Sequence, residues 1–78
     1  MHDQIRTYIA EELKWDKPAE ELANDLPLLE RDVVDSLGIF KIIGFLEDEF
    51  DIEVDDEELV PENFETINSI AALISGKE

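Results

Sequence analysis

Asp35-Ser36-Leu37-Gly38-Ile39-Phe40-Lys41-Ile42-Ile43-Gly44-Phe45-Leu46-Glu47-Asp48-Glu49-Phe50 is the stretch on which the fold turns. Leu37, Phe40, Ile43, Leu46 and Phe50 recur at helical spacing, and Ile39, Ile42 and Phe45 widen the stripe. A helix this apolar cannot bury its whole circumference in a small domain, so part of the surface is exposed or shared. Gly38 and Gly44 lie inside it, each costing about 1 kcal/mol relative to alanine. Either their neighbours make up that loss, or something approaches the backbone closely there.

On the N-terminal side, Ile5, Tyr8, Ile9 and Leu13 predict a helix from about Asp3 to Trp15, with Asp3 as its N-cap. Pro18 suits the start of a short turn, and the chain to Pro27 is expected to be loop, pinned by Leu22, Leu26, Leu28 and Leu29. On the C-terminal side, Pro61 predicts a short element. A last helix then runs from about Ile67 to Ser75, capped by Thr66, buried through Ile67, Ile70, Ala71 and Ile74, and stopped by Gly76. Ile52-Glu53-Val54 alternates too briefly for a sheet. The expected fold is all-α, a bundle of three longer helices and one short one, in a single domain over 1–78.

The 78 residues carry 22 acidic and six basic side chains, a formal charge of −16. Such a field repels phosphate backbones and anionic membranes, and basic protein surfaces complement it. The absence of cysteine excludes disulfides and thiolate metal sites. No segment is apolar for long enough to span a bilayer, and the N-terminus does not resemble a secretory signal. A cytoplasmic monomer is expected. His2, the lone histidine, lies at a terminus expected to fray, so a zinc site is not expected. Trp15 and Tyr8 suit packing better than ligand contact, while Phe45 and Ile39 suit a core or a partner surface equally.

Ser36 follows Asp35, a good capping residue, and so falls in a first helical turn whose N–H groups lack partners. A phosphate on that hydroxyl would sit at the positive end of the helix dipole. Asp35-Ser36-Leu37, the apolar helix closing on Leu46-Glu47-Asp48-Glu49-Phe50-Asp51-Ile52, Asp25-Leu26-Pro27-Leu28 before it and Pro61-Glu62-Asn63-Phe64-Glu65-Thr66-Ile67 after it resemble the acyl carrier protein family over essentially the whole chain. The resemblance implies a freestanding four-helix carrier whose Ser36 receives 4′-phosphopantetheine from coenzyme A through a phosphopantetheinyl transferase and Mg²⁺. The arm would hold an acyl or aminoacyl thioester, and the carrier itself would catalyse nothing. The resemblance further implies that Asp35 serves transferase recognition. It places Leu37, Phe40, Lys41, Gly44, Glu47 and Asp48 on a docking surface for acyl- or aminoacyl-loading and condensing enzymes with basic faces.

Three positions depart from the family pattern. Val33-Val34 replace a frequent glycine before the motif, Lys41 stands where an acid is common, and Gly44 where a larger apolar residue is common. These point away from primary fatty acid synthesis and toward a specialised pathway such as polyketide or other secondary metabolism. A close alternative is an aminoacyl or peptidyl carrier of a nonribosomal-peptide-type pathway. An alternative of another class is an unmodified acidic, divalent-ion-responsive interaction module. Asp51, Glu53, Asp55 and Glu62 approximate calcium-loop spacing, but Asp56 occupies the position that needs glycine, so no dedicated metal site is expected. Asp55, Asp56, Glu57 and Glu58 are expected to be a solvated face.

Overall fold

The computed structural model describes residues 1–77. Three α-helices dominate it: α1 over His2–Glu12, α2 over Ser36–Phe50 and α3 over Ile67–Lys77. Short 3₁₀ turns occupy Ala19–Glu21, Asp56–Glu58 and Pro61–Asn63. The all-α expectation holds, with Pro61 at the first position of its turn. The short fourth helix takes the form of 3₁₀ turns, a geometry used for pieces of this length.

The helices meet through one apolar core. Ile5 and Ile9 come from α1, Ile42 and Leu46 from α2, and Ile67, Ile70, Ala71 and Ile74 from α3. The segments between helices contribute Leu22, Leu28, Val33, Val34 and Phe64. Each such side chain contributes about 1.5–3 kcal/mol by leaving water, so five loop anchors matter in a chain without staples. The loop between α1 and α2 is also bonded to the α3 entry: Leu28 N–H donates to the Glu65 carbonyl at 2.7 Å, and Asn68 N–H to that of Asn24 at 3.0 Å.

Helix boundaries differ from the expectation in three places. α1 is capped by Met1, with Ile5 N–H donating to the Met1 carbonyl, so Asp3 falls inside the first turn. The Asp3 carboxylate pairs with Arg6 at 2.5 Å, and Arg6 also bonds the Leu22 carbonyl and the Asn24 side chain. That link across to the loop engages Asp3 in place of capping. α1 ends at Glu12 because Leu13 turns extended, at φ −115° and ψ −164°. α3 passes through Gly76 to Lys77, and no glycine among the described residues has the positive φ of a helix-stopping turn. Thr66 does cap α3, accepting from Ser69 N–H at 2.9 Å.

His2 is half-buried in α1 and contacts the Asn68 side chain at 3.1 Å, so this terminus is docked rather than frayed. No helix among the described residues is long and apolar enough to cross a membrane.

Candidate functional site

Asp35 makes the start of α2. Its backbone is extended, its carbonyl accepts from Ile39 N–H at 2.9 Å, and its side chain accepts from Gly38 N–H at 2.8 Å. The other carboxylate oxygen lies 2.9 Å from Lys14 Nζ. The Gly38 N–H bond first, and the Lys14 ammonium second, hold the Asp35 carboxyl below the usual range. The same pairing, with Asp32 nearby, raises Lys14. Both Asp35 oxygens are thus occupied in holding the helix end.

Ser36 is the first helical residue and is exposed. Among the described residues its hydroxyl makes no hydrogen bond, so nothing here activates it as a nucleophile and nothing blocks its approach by another protein. The N–H groups of Ser36 and Leu37 have no intrahelical acceptor, and the helix dipole places partial positive charge at this end. An exposed hydroxyl beside N–H donors without helical acceptors suits a phosphate ester.

The turn leading to Ser36 is fixed from inside. Val33 and Val34 are buried, and both N–H groups point to the Leu28 carbonyl at 2.9 and 3.3 Å. Asp32, at φ 58°, takes the left-handed conformation that glycine would otherwise supply. With Asp32 in that conformation, α2 starts at Ser36 without a glycine before the motif.

α2 divides its apolar surface sharply. Gly38, Ile42 and Leu46 are buried, and Ile39, Ile43, Phe45 and Phe50 pack half-buried against the core. Leu37 and Phe40 are 72% and 64% exposed, although they open the helical stripe read from sequence. Leu37, Phe40, Lys41, Gly44, Glu47 and Asp48 are all exposed and follow helical spacing along one side. Phe45 turns inward, stacking on Tyr8 with ring centroids 4.3 Å apart. Tyr8 in turn donates its hydroxyl to the Lys41 carbonyl at 3.1 Å, and burial first, then Glu12, raises its pKa.

Gly38 answers the question left open in sequence. A Cβ there would lie 3.3 Å from Val34 Cγ1, 3.4 Å from Asp35 Oδ1 and 3.6 Å from Leu13 Cδ2, so the missing side chain admits the chain around it. At Gly44 a Cβ would meet nothing within 4 Å.

In the acidic loop after α2, Asp55, Asp56 and Glu57 are exposed, as expected of a solvated face, while Glu58 is half-buried. Asp55 and Glu58 form a reciprocal capping box, and Lys77 lies 2.6 Å from Glu58 and 3.9 Å from Asp55. Lys77 first, then the Asp55 N–H, hold the Glu58 carboxyl below its ordinary value. Glu47 accepts from Val54 N–H at 3.1 Å. Among the described residues no group of three or more acidic or histidine side chains is placed to hold a metal.

The family described as "Phosphopantetheine attachment site" matches residues 3–74. This chain belongs to that family of carrier proteins. It is 36% identical over 59 residues to the probable acyl carrier protein PigG of Serratia sp. (strain ATCC 39006), covering 76% of this chain and 68% of that one. It is 35% identical over 75 residues to an acyl carrier protein of Streptococcus thermophilus (strain CNRZ 1066), covering 96% and 92%. Among solved structures it resembles that titled KstB-PCP(apo), with a TM-score of 0.80, 40% identity and coverage of 95% and 81%. A chain in a structure titled as an FAD-dependent dehydrogenase also matches, with a TM-score of 0.77, 28% identity and coverage of 90% and 97%. The coverage makes that matched chain about as long as this one.

The protein is therefore a phosphopantetheine-bearing carrier and not a catalyst, of a kind that works with modifying and synthase enzymes. The residues that sequence reasoning missed around the carrier's α2 entry are Lys14 and Asp32. Lys14 follows a predicted apolar stripe and gives no local sign of reaching Asp35. Asp32 offers only its tolerance of left-handed backbone as a signal.

Proposed function

We propose that Ser36 is the residue that takes the 4′-phosphopantetheine arm, and that residues 1–78 act as one monomeric carrier domain in the cytoplasm. The observation that carries this is the exposed Ser36 hydroxyl at the capped N-terminus of α2. In the transfer, Ser36 Oγ bonds to the pantetheine-bearing phosphorus of coenzyme A as the pyrophosphate bond breaks. 3′,5′-ADP leaves, and the serine proton passes to a base supplied by the transferase, with Mg²⁺ neutralising the phosphates. The arm's thiol then holds cargo as a thioester. Asp35 orients the first turn for the transferase, and Leu37, Phe40, Lys41, Gly44, Glu47 and Asp48 form the surface that partners with basic faces meet.

Incubation with coenzyme A, Mg²⁺ and a broad-specificity transferase, followed by intact mass, tests the assignment. One arm is expected on the wild type and none on Ser36→Ala; equal gain on both sinks it.

The cargo is an acyl or aminoacyl group of a specialised pathway, polyketide or secondary-metabolic in kind rather than primary fatty acid biosynthesis. The aminoacyl reading gains support from the 40% identity to the chain titled as a PCP, the usual abbreviation for a peptidyl carrier. Loading by amino-acid-adenylating enzymes, set against loading from acyl-coenzyme A donors, separates the two. The family match favours either over an unmodified, ion-responsive module.

A further inference from the structure

A cleft of about 280 Å³ opens between the end of α1 and the first turns of α2, lined by residues on either side of Ser36 in sequence but not by Ser36 itself. Leu13, Val33, Leu37 and Gly38 line it as an apolar trough, and Lys14 and Lys41 stand in its wall. Asp35 and Leu37, the two sequence neighbours of Ser36, both belong to it. Leu13 Cδ2 passes 3.6 Å from where a Cβ on Gly38 would stand, so the floor of the trough at this point is backbone.

Resting on the assignment of Ser36, we propose that the phosphopantetheine arm folds back into this cleft between Leu13, Val33 and Leu37, with Lys41 beside its phosphodiester. Charge selects this place. Two of the chain's six basic residues line it, offsetting Glu12 and Asp35, whereas the whole chain carries −16. Lys14 is engaged by Asp35, while Lys41 forms no ion pair among the described residues. The larger groove of about 440 Å³ between α1 and α2 is rimmed by Asp3, Glu11, Glu12 and Glu49, which repel a phosphodiester. The arm's geminal methyls match Leu13 and Val33, and its hydroxyl and amides face the open side. Clefts that bury a drug-sized ligand fully have about 300–1,000 Å³, so this one holds part of the arm and leaves the thiol end free.

The arm at rest then lies over Leu37 and Lys41, so a partner must lift it to reach those two side chains. The test compares ¹⁵N-labelled protein without and with the arm, mass confirming full attachment. Amides of Leu13, Lys14, Val33 and Lys41 are expected to shift, with nuclear Overhauser contacts from the arm's methyls to Leu13 and Val33. Lys41→Glu, at an exposed position, is expected to reduce the Leu13 and Val33 shifts at least twofold with the arm still attached. Shifts confined to residues 35–38 at full attachment overturn the cleft alone. A chain that gains no arm, or gains it elsewhere, overturns the Ser36 assignment and the cleft with it.

Discussion

Lys14 Nζ lies 2.9 Å from Asp35 Oδ2, tying the chain just beyond α1 to the residue that caps α2. The cap thus has two supports, one backbone donor from Gly38 and one cation from another segment. The pair is largely open to water, so its worth lies in orientation more than in energy.

Asp35 sets an acid limb in the stability profile. Its carboxyl lies below the usual range when folded, so the unfolded chain binds the proton more readily. The stabilisation is whole above the unfolded value of about 3.9 and is lost as pH falls through the folded value. Asp35→Ala is expected to lower Tm by roughly 4–8 °C at pH 7, the usual effect of losing an N-cap in a domain of this size. That gap should narrow as pH falls below the ordinary carboxylate range, as thermal melts followed by circular dichroism would record.

The two glycines of α2 should respond to alanine in opposite directions. Gly44→Ala meets open space and is expected to gain about 0.5–1 kcal/mol through helix propensity. Gly38→Ala gains the same propensity but presses on buried Val34 and on an Asp35 oxygen fixed by its own hydrogen bonds. Crowding of about 1–3 kcal/mol outweighs the gain, so a net loss of about 1 kcal/mol is expected. Urea midpoints at constant slope decide both.

Leu37 and Phe40 lie outside the core, so their replacement should separate stability from recognition. Leu37→Ala and Phe40→Ala are expected to change stability by no more than about 0.5 kcal/mol. If the exposed face meets the transferase, KM for the carrier should rise by roughly 5–30-fold, the effect of losing an interface anchor. Unchanged KM for both variants removes this face from the encounter.

Salt should stabilise the chain. At −16 the folded state repels itself, and raising NaCl from low to physiological strength screens that repulsion, so Tm should rise. MgCl₂ and NaCl compared at equal ionic strength should give similar gains. A markedly larger gain with Mg²⁺ would reveal a specific divalent site.

The α2 entry was legible because it is local: Asp35 caps through a residue three positions away, and Thr66 caps α3 in the same manner. Leu22 and Leu28 were legible as loop anchors because leucines in a polar stretch have few other uses, whereas Val33, Val34 and Phe64 were not, and Leu26 and Leu29 are only half-buried. The exposed side of α2 was legible only through the family resemblance, which named Leu37, Phe40, Lys41, Gly44, Glu47 and Asp48; the apolar pattern of the helix gives no direction by itself. The choice is made by long-range packing, which buries Ile42 and Leu46 among residues of α1, α3 and the loops. Long-range pairs were hidden for the same reason. Lys77 reaches Glu58, His2 reaches Asn68 and Arg6 reaches Asn24 only once the chain has folded. Gly76 misled because a glycine near a helix end suggests a stop only where its backbone turns left-handed, and here it does not.

Val33 and Val34, held under the Leu28 carbonyl, give the serine that follows a fixed pivot. On the proposal that Ser36 takes the arm, a tether lifted from its resting cleft would sweep a volume set by its own length, not by motion of the chain beneath it. Every enzyme that handles the cargo must then bring its reaction centre within one common radius of the same point. Loosening the valines would blur that radius for all partners at once, whereas changing any single docking side chain would disturb only the partner that touches it.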